Sequence, residues 1–191
     1  MKIFERIVLW WKSEGRYYHR DFVSGVKNLI RWFPTIWRDR DWDDHFVWEL
    51  MIKKITFQAK YIGDRDFHTR AKRDAEIMMT CVRLMEKVRD EYYTTEYMDY
   101  HETEYDFVDC DIPGHKRLET TELSERFDEY FRKYQSTMRK VVANPKVFDY
   151  IEEDYKDRKS TLALLIAREN HSKARRILFT LMERNIEAWW D

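Results

Sequence analysis

Apolar side chains return every three or four positions along most of this chain, the spacing that gathers them on one side of an α-helix. Ile3, Phe4, Ile7, Val8 and Trp11 open the pattern and predict a first amphipathic helix. The Ser13-Glu14-Gly15-Arg16-Tyr17-Tyr18 stretch that follows reads as a break. Phe22, Val26, Leu29, Ile30 and Phe33 mark a second helix. It is expected to stop near Phe33, because Pro34 disfavours helical geometry in the residue before it. Residues 43 to 62 are helical in texture but apolar on more than one side, which predicts a central helix ending at Gly63 and Asp64.

The most regular rhythm comes next. Ala71, Ala75, Met78, Val82, Met85, Val88 and Tyr92 predict a helix from roughly His68 to Tyr93. From Asp90 to Asp111 the texture changes: nine acids and five Tyr, with no Lys or Arg. Tyr and Thr favour extended structure, so this part of an insertion at 90–116 is expected to be an irregular arm or a short hairpin. Helical spacing resumes with Leu123, Phe127, Tyr130, Phe131, Tyr134, Met138 and Val141. Asn144-Pro145 supplies a cap and a first position for a short helix through Phe148, Ile151 and Tyr155. A last helix, capped by Ser160 or Thr161, is expected to reach Trp189-Trp190. The fold this implies is all-α, a single domain over 1–191. It is a mostly antiparallel bundle of five to seven helices with an acidic Tyr-rich insertion between the fourth and fifth.

Composition sharpens the picture. Four Gly and three Pro in 191 residues argue against a turn-rich all-β fold, and 16% aromatics argue against disorder. The 35 basic and 36 acidic residues leave a net charge of -1, so no global field draws the chain to nucleic acid or anionic lipid. Nucleic acid is therefore not an expected partner. No segment has the pattern of a signal peptide or a membrane span, and Cys81 and Cys110 belong to no C-x-x-C pair. A reduced cytoplasmic protein with no membrane contact is the expectation. Eight Trp and 11 Phe are many for one core of this size, which points to a homodimer.

Two basic features are candidate binding sites. In "RWFPTIWRDRDWDDHF" (31–46), three Trp stand five apart, too far round a helix to share one face. The stretch is expected to be a bent connector, with Asp39 or Asp41 capping the next helix and Asp43 and Asp44 in its first turn. Trp37, Arg38, Arg40 and Trp42 would then place guanidinium forks and indoles beside a helix N-terminus, a chemistry suited to phosphate and a stacked base. The competing reading is a structural elbow held by Arg–Asp pairs. Farther on, Arg168, His171, Lys173, Arg175 and Arg176 form a basic band on the last helix, either a phosphate grip or a solvated face.

The segments "KNLIRWFPTIWRDRDWD" (27–43) and "HSKARRILFTLMERNIEAWWD" (171–191) resemble an uncharacterised family of small proteins carried by tailed bacteriophages. The resemblance implies a viral setting and lends no catalytic residue or cofactor. Enzyme signatures are absent in usable form. His101-x-Thr103 has no second copy, Glu119-x-x-Glu122 lacks the later Glu-x-x-Asp of helical Mg²⁺ nucleotide hydrolases, and no Gly-rich phosphate loop exists. Asp39-x-Asp41-x-Asp43 opens like an EF-hand, but Asp44 and Leu50 stand where Gly and Glu are needed. His45, beside Asp44, is the histidine that warrants inspection for metal. The expected function is a non-enzymatic phage accessory protein that sequesters a small anionic, nucleotide-type ligand, with no cofactor. Two alternatives remain: inhibition of a host protein through the acidic Tyr-rich arm, and Mg²⁺-dependent phosphohydrolysis.

Overall fold

Helical periodicity dominates the structure as it does the sequence. The computed structural model describes residues 3–40, 42, 44–66, 68–156 and 158–189. Among these are nine α-helices and one two-stranded antiparallel hairpin. The fold is therefore mostly helical rather than all-α, with more and shorter helices than the rhythm alone implies. The chain divides into two compact units, Met1–Met51 and Ile52–Asp191.

In the first unit α1 (Ile3–Trp10) does not break at the Ser13–Tyr18 stretch. A single π-turn (Trp11–Gly15) carries it into α2 (Arg16–Ile36). Gly15 permits this: a Cβ there would lie 2.8 Å from the Trp11 ring. Nor does α2 stop at Phe33. Pro34 lies in the last turn, where it removes one N–H, and the Trp37 N–H still closes on the Phe33 carbonyl at 2.8 Å. α3 (His45–Arg65) begins in this unit, and the boundary falls within it. Asp44 precedes it, its carbonyl accepting from the Val47 N–H at 3.0 Å. Asp41 and Asp43, assigned to the cap and first turn, lie outside the described residues, as does Trp190.

The second unit takes Ile55, Ala59 and Ile62 from α3, one face rather than several. α4 (Ala71–Arg89) buries Ala71, Met78, Cys81, Val82, Met85 and Val88. Glu91 then adopts a left-handed conformation (φ 51°), and its carbonyl accepts from the Thr94 and Thr95 amides and from both hydroxyls, which offsets the strain. This turn separates α4 from α5 (Tyr92–Thr95). A 3₁₀ turn (Glu96–Tyr100) leads into the hairpin β1 (His101–Asp109) and β2 (Lys116–Glu125). The insertion is thus part helix and part hairpin. Leu123 lies on β2, not on the helix its spacing suggested.

After the hairpin come α6 (Phe127–Lys133), α7 (Gln135–Val142), a 3₁₀ turn (Pro145–Phe148), α8 (Glu153–Lys156) and α9 (Lys159–Asn185). Pro145 takes the first position of its turn as expected, though Asn144 makes no side-chain cap. α9 starts ahead of Ser160, with Arg158 at its N-cap. Its inner face, including Ala163, Ile166, Ala167, Ala174 and Leu178, is buried, and α4, α5, α6 and α7 all pack against α9.

The root of the acidic arm docks inside this core. Tyr97 and Tyr100 pack with Phe127 and Tyr130, and the buried Glu96 carboxylate accepts from the Lys133 ammonium and the Tyr134 hydroxyl. That hydrogen bond from Lys133 holds its ammonium protonated to higher pH than usual. Burial, followed by the Glu96 hydrogen bond, pushes the Tyr134 phenol well above its ordinary value. Replacing Glu96 by Ala takes the acceptor from the half-buried Tyr134 hydroxyl and frees the exposed Lys133 to water, and unfolding in urea should show a loss of about 2 kcal/mol. A loss below about 1 kcal/mol would mean that Glu96 does not anchor the arm.

Candidate functional site

Two basic sites were expected, and each lies in its own unit. In the first, the elbow is a turn: the Arg38 N–H bonds to the Thr35 carbonyl at 3.3 Å and the Asp39 N–H to the Ile36 carbonyl at 3.2 Å. Trp37 retains helical geometry, and its ring lies 5.2 Å from that of Phe33, so it extends the apolar face of α2. Arg38, Arg40 and Trp42 are exposed, Trp42 at 84%. The guanidinium groups are thus open to solvent rather than sealed in a core.

In the second unit the band on α9 divides by direction. His171 turns inward: it is half-buried, and its Nδ1 has no hydrogen-bond partner among the described residues. Arg175 lies beside Phe179 and Glu183 on another flank. Arg168, Lys173 and Arg176 point into two adjoining grooves that share Lys140 of α7. One, of about 520 Å³, is lined by Lys140, Lys146, Tyr150, Arg168, Glu169 and Ser172 among others. The other, of about 420 Å³, brings Lys140, Lys173, Arg176 and Arg184 together with Ile177 and Leu181, with no acid in its lining.

Charge decides what this surface can do. Among the described residues, Lys140, Lys146, Arg168, Lys173 and Arg184 have no ion-pair partner, while Arg176 bonds to Glu169 at 3.0 Å. Like charges gathered this way repel, and an anion that bridges them relieves the repulsion. Tyr150 is 93% exposed in the wall of the first groove, a free ring face beside the cations. The sequence reading missed Lys140, Lys146, Tyr150 and Arg184. Arg184 was accessible, since Lys173 and Arg184 stand eleven apart, close to three helical turns. The other three reach the site through the packing of α7 and its 3₁₀ turn on α9, which no local pattern announces.

The residues of the enzymatic alternative do not assemble. Glu119 and Glu122 lie on β2, where an odd separation puts them on opposite faces. Glu125 and Asp128 are both engaged by Lys159, at 3.1 and 3.2 Å. His101 bonds to Glu122 at 2.9 Å on the hairpin, and His45 faces Glu49 at 3.6 Å. Among the described residues no three His, Cys, Asp or Glu side chains converge as a metal site. The chain matches no family model, no curated protein and no solved structure.

His171 supplies a pH test of the inner side of α9. Desolvation first, and then the Arg175 charge, lower its pKa from the ordinary 6.5, with Glu91 opposing. A depressed histidine favours the neutral ring, so its contribution to stability is complete above the ordinary value and is lost as pH falls through it. The urea midpoint should therefore drop from about pH 7.5 to about pH 5.5, and His171→Gln should flatten that drop. Equal slopes for the two proteins would remove His171 as the cause.

Proposed function

We propose that this protein is a non-enzymatic binding protein that sequesters a small anionic ligand of nucleotide type in the grooves between α7 and α9. One observation carries the reading: five Lys and Arg side chains from three elements line these grooves with no ion-pair partner among the described residues, and Glu169, the acid in the first groove's lining, is already engaged by Arg176. Charge-assisted contacts contribute about 1.5–3 kcal/mol each, so three of them bring micromolar affinity within reach before ordering costs. Tyr150 offers the stacking surface that a base requires and an inorganic anion does not. The motif resemblance supports a phage accessory, counter-defence role in the host cytoplasm.

Calorimetric titration with mono-, di- and cyclic dinucleotides tests this. Binding should weaken about tenfold or more in Lys140→Glu and Arg168→Glu. Adenosine, which lacks phosphate, should give no heat. Absence of heat with every nucleotide would end the reading, and preference for a long single strand with a steep salt slope would replace it with nucleic-acid binding.

The hairpin favours a second reading, contact with a host protein. Tyr105 and Phe107 share one face with Leu118, and all three are exposed, while Glu102, Glu104 and Asp106 occupy the other. Excising residues 102–124 should abolish capture of a host partner while leaving helical circular dichroism in place. Removal of residues 94–100 as well should unfold the second unit, because Glu96, Tyr97 and Tyr100 belong to its core.

A further inference from the structure

The first unit carries a broad exposed apolar surface that neither reading uses. At about 100° per residue, Phe22, Val26, Leu29, Phe33 and Ile36 of α2 fall within roughly 80° of one another, and Ile30 and Trp37 widen the face to roughly 120°. These side chains stand in solvent: Leu29 is 71% exposed, Ile30 70% and Phe33 57%. Phe4, Ile7, Val8 and Trp11 continue the exposed apolar surface along α1 and the π-turn. Soluble proteins seldom leave an apolar area of this size uncovered.

The polar side of α2 indicates what covers it. Arg20, Lys27 and Arg31 fall within roughly 40° of each other on the side of α2 nearly opposite the apolar face, a row of cations along its polar side. Between Phe4 and Ile36, six Lys and Arg oppose three Asp and Glu, so this segment is positive in a chain of net charge -1. Trp10, Trp11, Trp32, Trp37, Tyr17 and Tyr18 add the ring types that settle between hydrocarbon and water. Among the described residues no helix is long and apolar enough to cross a membrane. A helix lying in the plane of the interface has no such requirement.

We propose that α1 and α2 dock on an anionic lipid bilayer, with the Phe22–Ile36 face among the acyl chains and Arg20, Lys27 and Arg31 at the headgroups. A face this wide, with cations on the opposite, polar side of the helix, fits the bilayer interface better than the narrow seam of two paired helices. The inference is independent of the groove on α9.

Co-sedimentation of the full-length protein with vesicles tests it. Vesicles of phosphatidylcholine and phosphatidylglycerol should pellet the protein and shift Trp emission to the blue, whereas phosphatidylcholine alone should bind about tenfold less. Leu29→Glu with Phe33→Glu should abolish pelleting. Lys27→Glu with Arg31→Glu should erase the preference for anionic vesicles, and Lys140→Glu with Arg168→Glu in the α9 groove should leave binding unchanged. Three results would overturn the proposal: no pelleting, pelleting insensitive to the Leu29 and Phe33 changes, or loss of pelleting in the groove variant. A fourth is a lipid-free dimer that the Leu29 and Phe33 changes convert to monomer, which would assign the face to a second copy of the chain.

Discussion

Ala163, Ala167 and Ala174 keep the inner side of α9 shallow, so neighbouring backbones can approach this one helix from several directions. α4, α5, α6 and α7 all do so, and their apolar faces have no larger common surface to share. A helix enclosed in this way can spare only its outer strip for charge, so its cations are concentrated along that strip. α7 is short and lies against the same helix, which places Lys140 among them. The basic grooves thus follow from how the core is packed.

The near-zero net charge averages three unlike regions. The helices of the first unit are positive, the α7–α9 surface is positive, and the arm from Asp90 to Asp111 is acidic without a single cation. Electrostatic fields act over about 10 Å at moderate salt, so each region meets its surroundings with its own sign. Buried Glu96 shows the same separation at short range. It fastens the root of the acidic arm through Lys133 and Tyr134, while Glu102, Glu104, Asp106 and Asp109 lie on the hairpin strand that follows.

The longer helices were legible because their apolar spacing holds over many turns, as in Ala71–Val88 and across Phe22–Phe33. Their ends were not. Pro34 falls in a last turn that tolerates it, and the pairing of Gly15 with Trp11 turns an expected break into a π-turn. Tyr and Thr in the arm signalled extended structure but could not show that Tyr92–Thr95 would be helical, because packing on α9 decides that. Of the candidate site, the α9 cations were legible as a helical band. Their inward or outward direction, and the residues that α7 contributes, depend on contacts between elements distant in sequence.

Among the described residues the hairpin has no third strand, so both of its edges keep backbone amides and carbonyls outside the ladder. Such edges are templates for stacking ribbon on ribbon, and Tyr105 and Phe107 would reward it. Between identical ribbons, Glu102, Glu104 and Asp106 set like charges against each other and oppose that assembly. The acids therefore work as gatekeepers against fibril growth, a protection that concentrated salt would weaken.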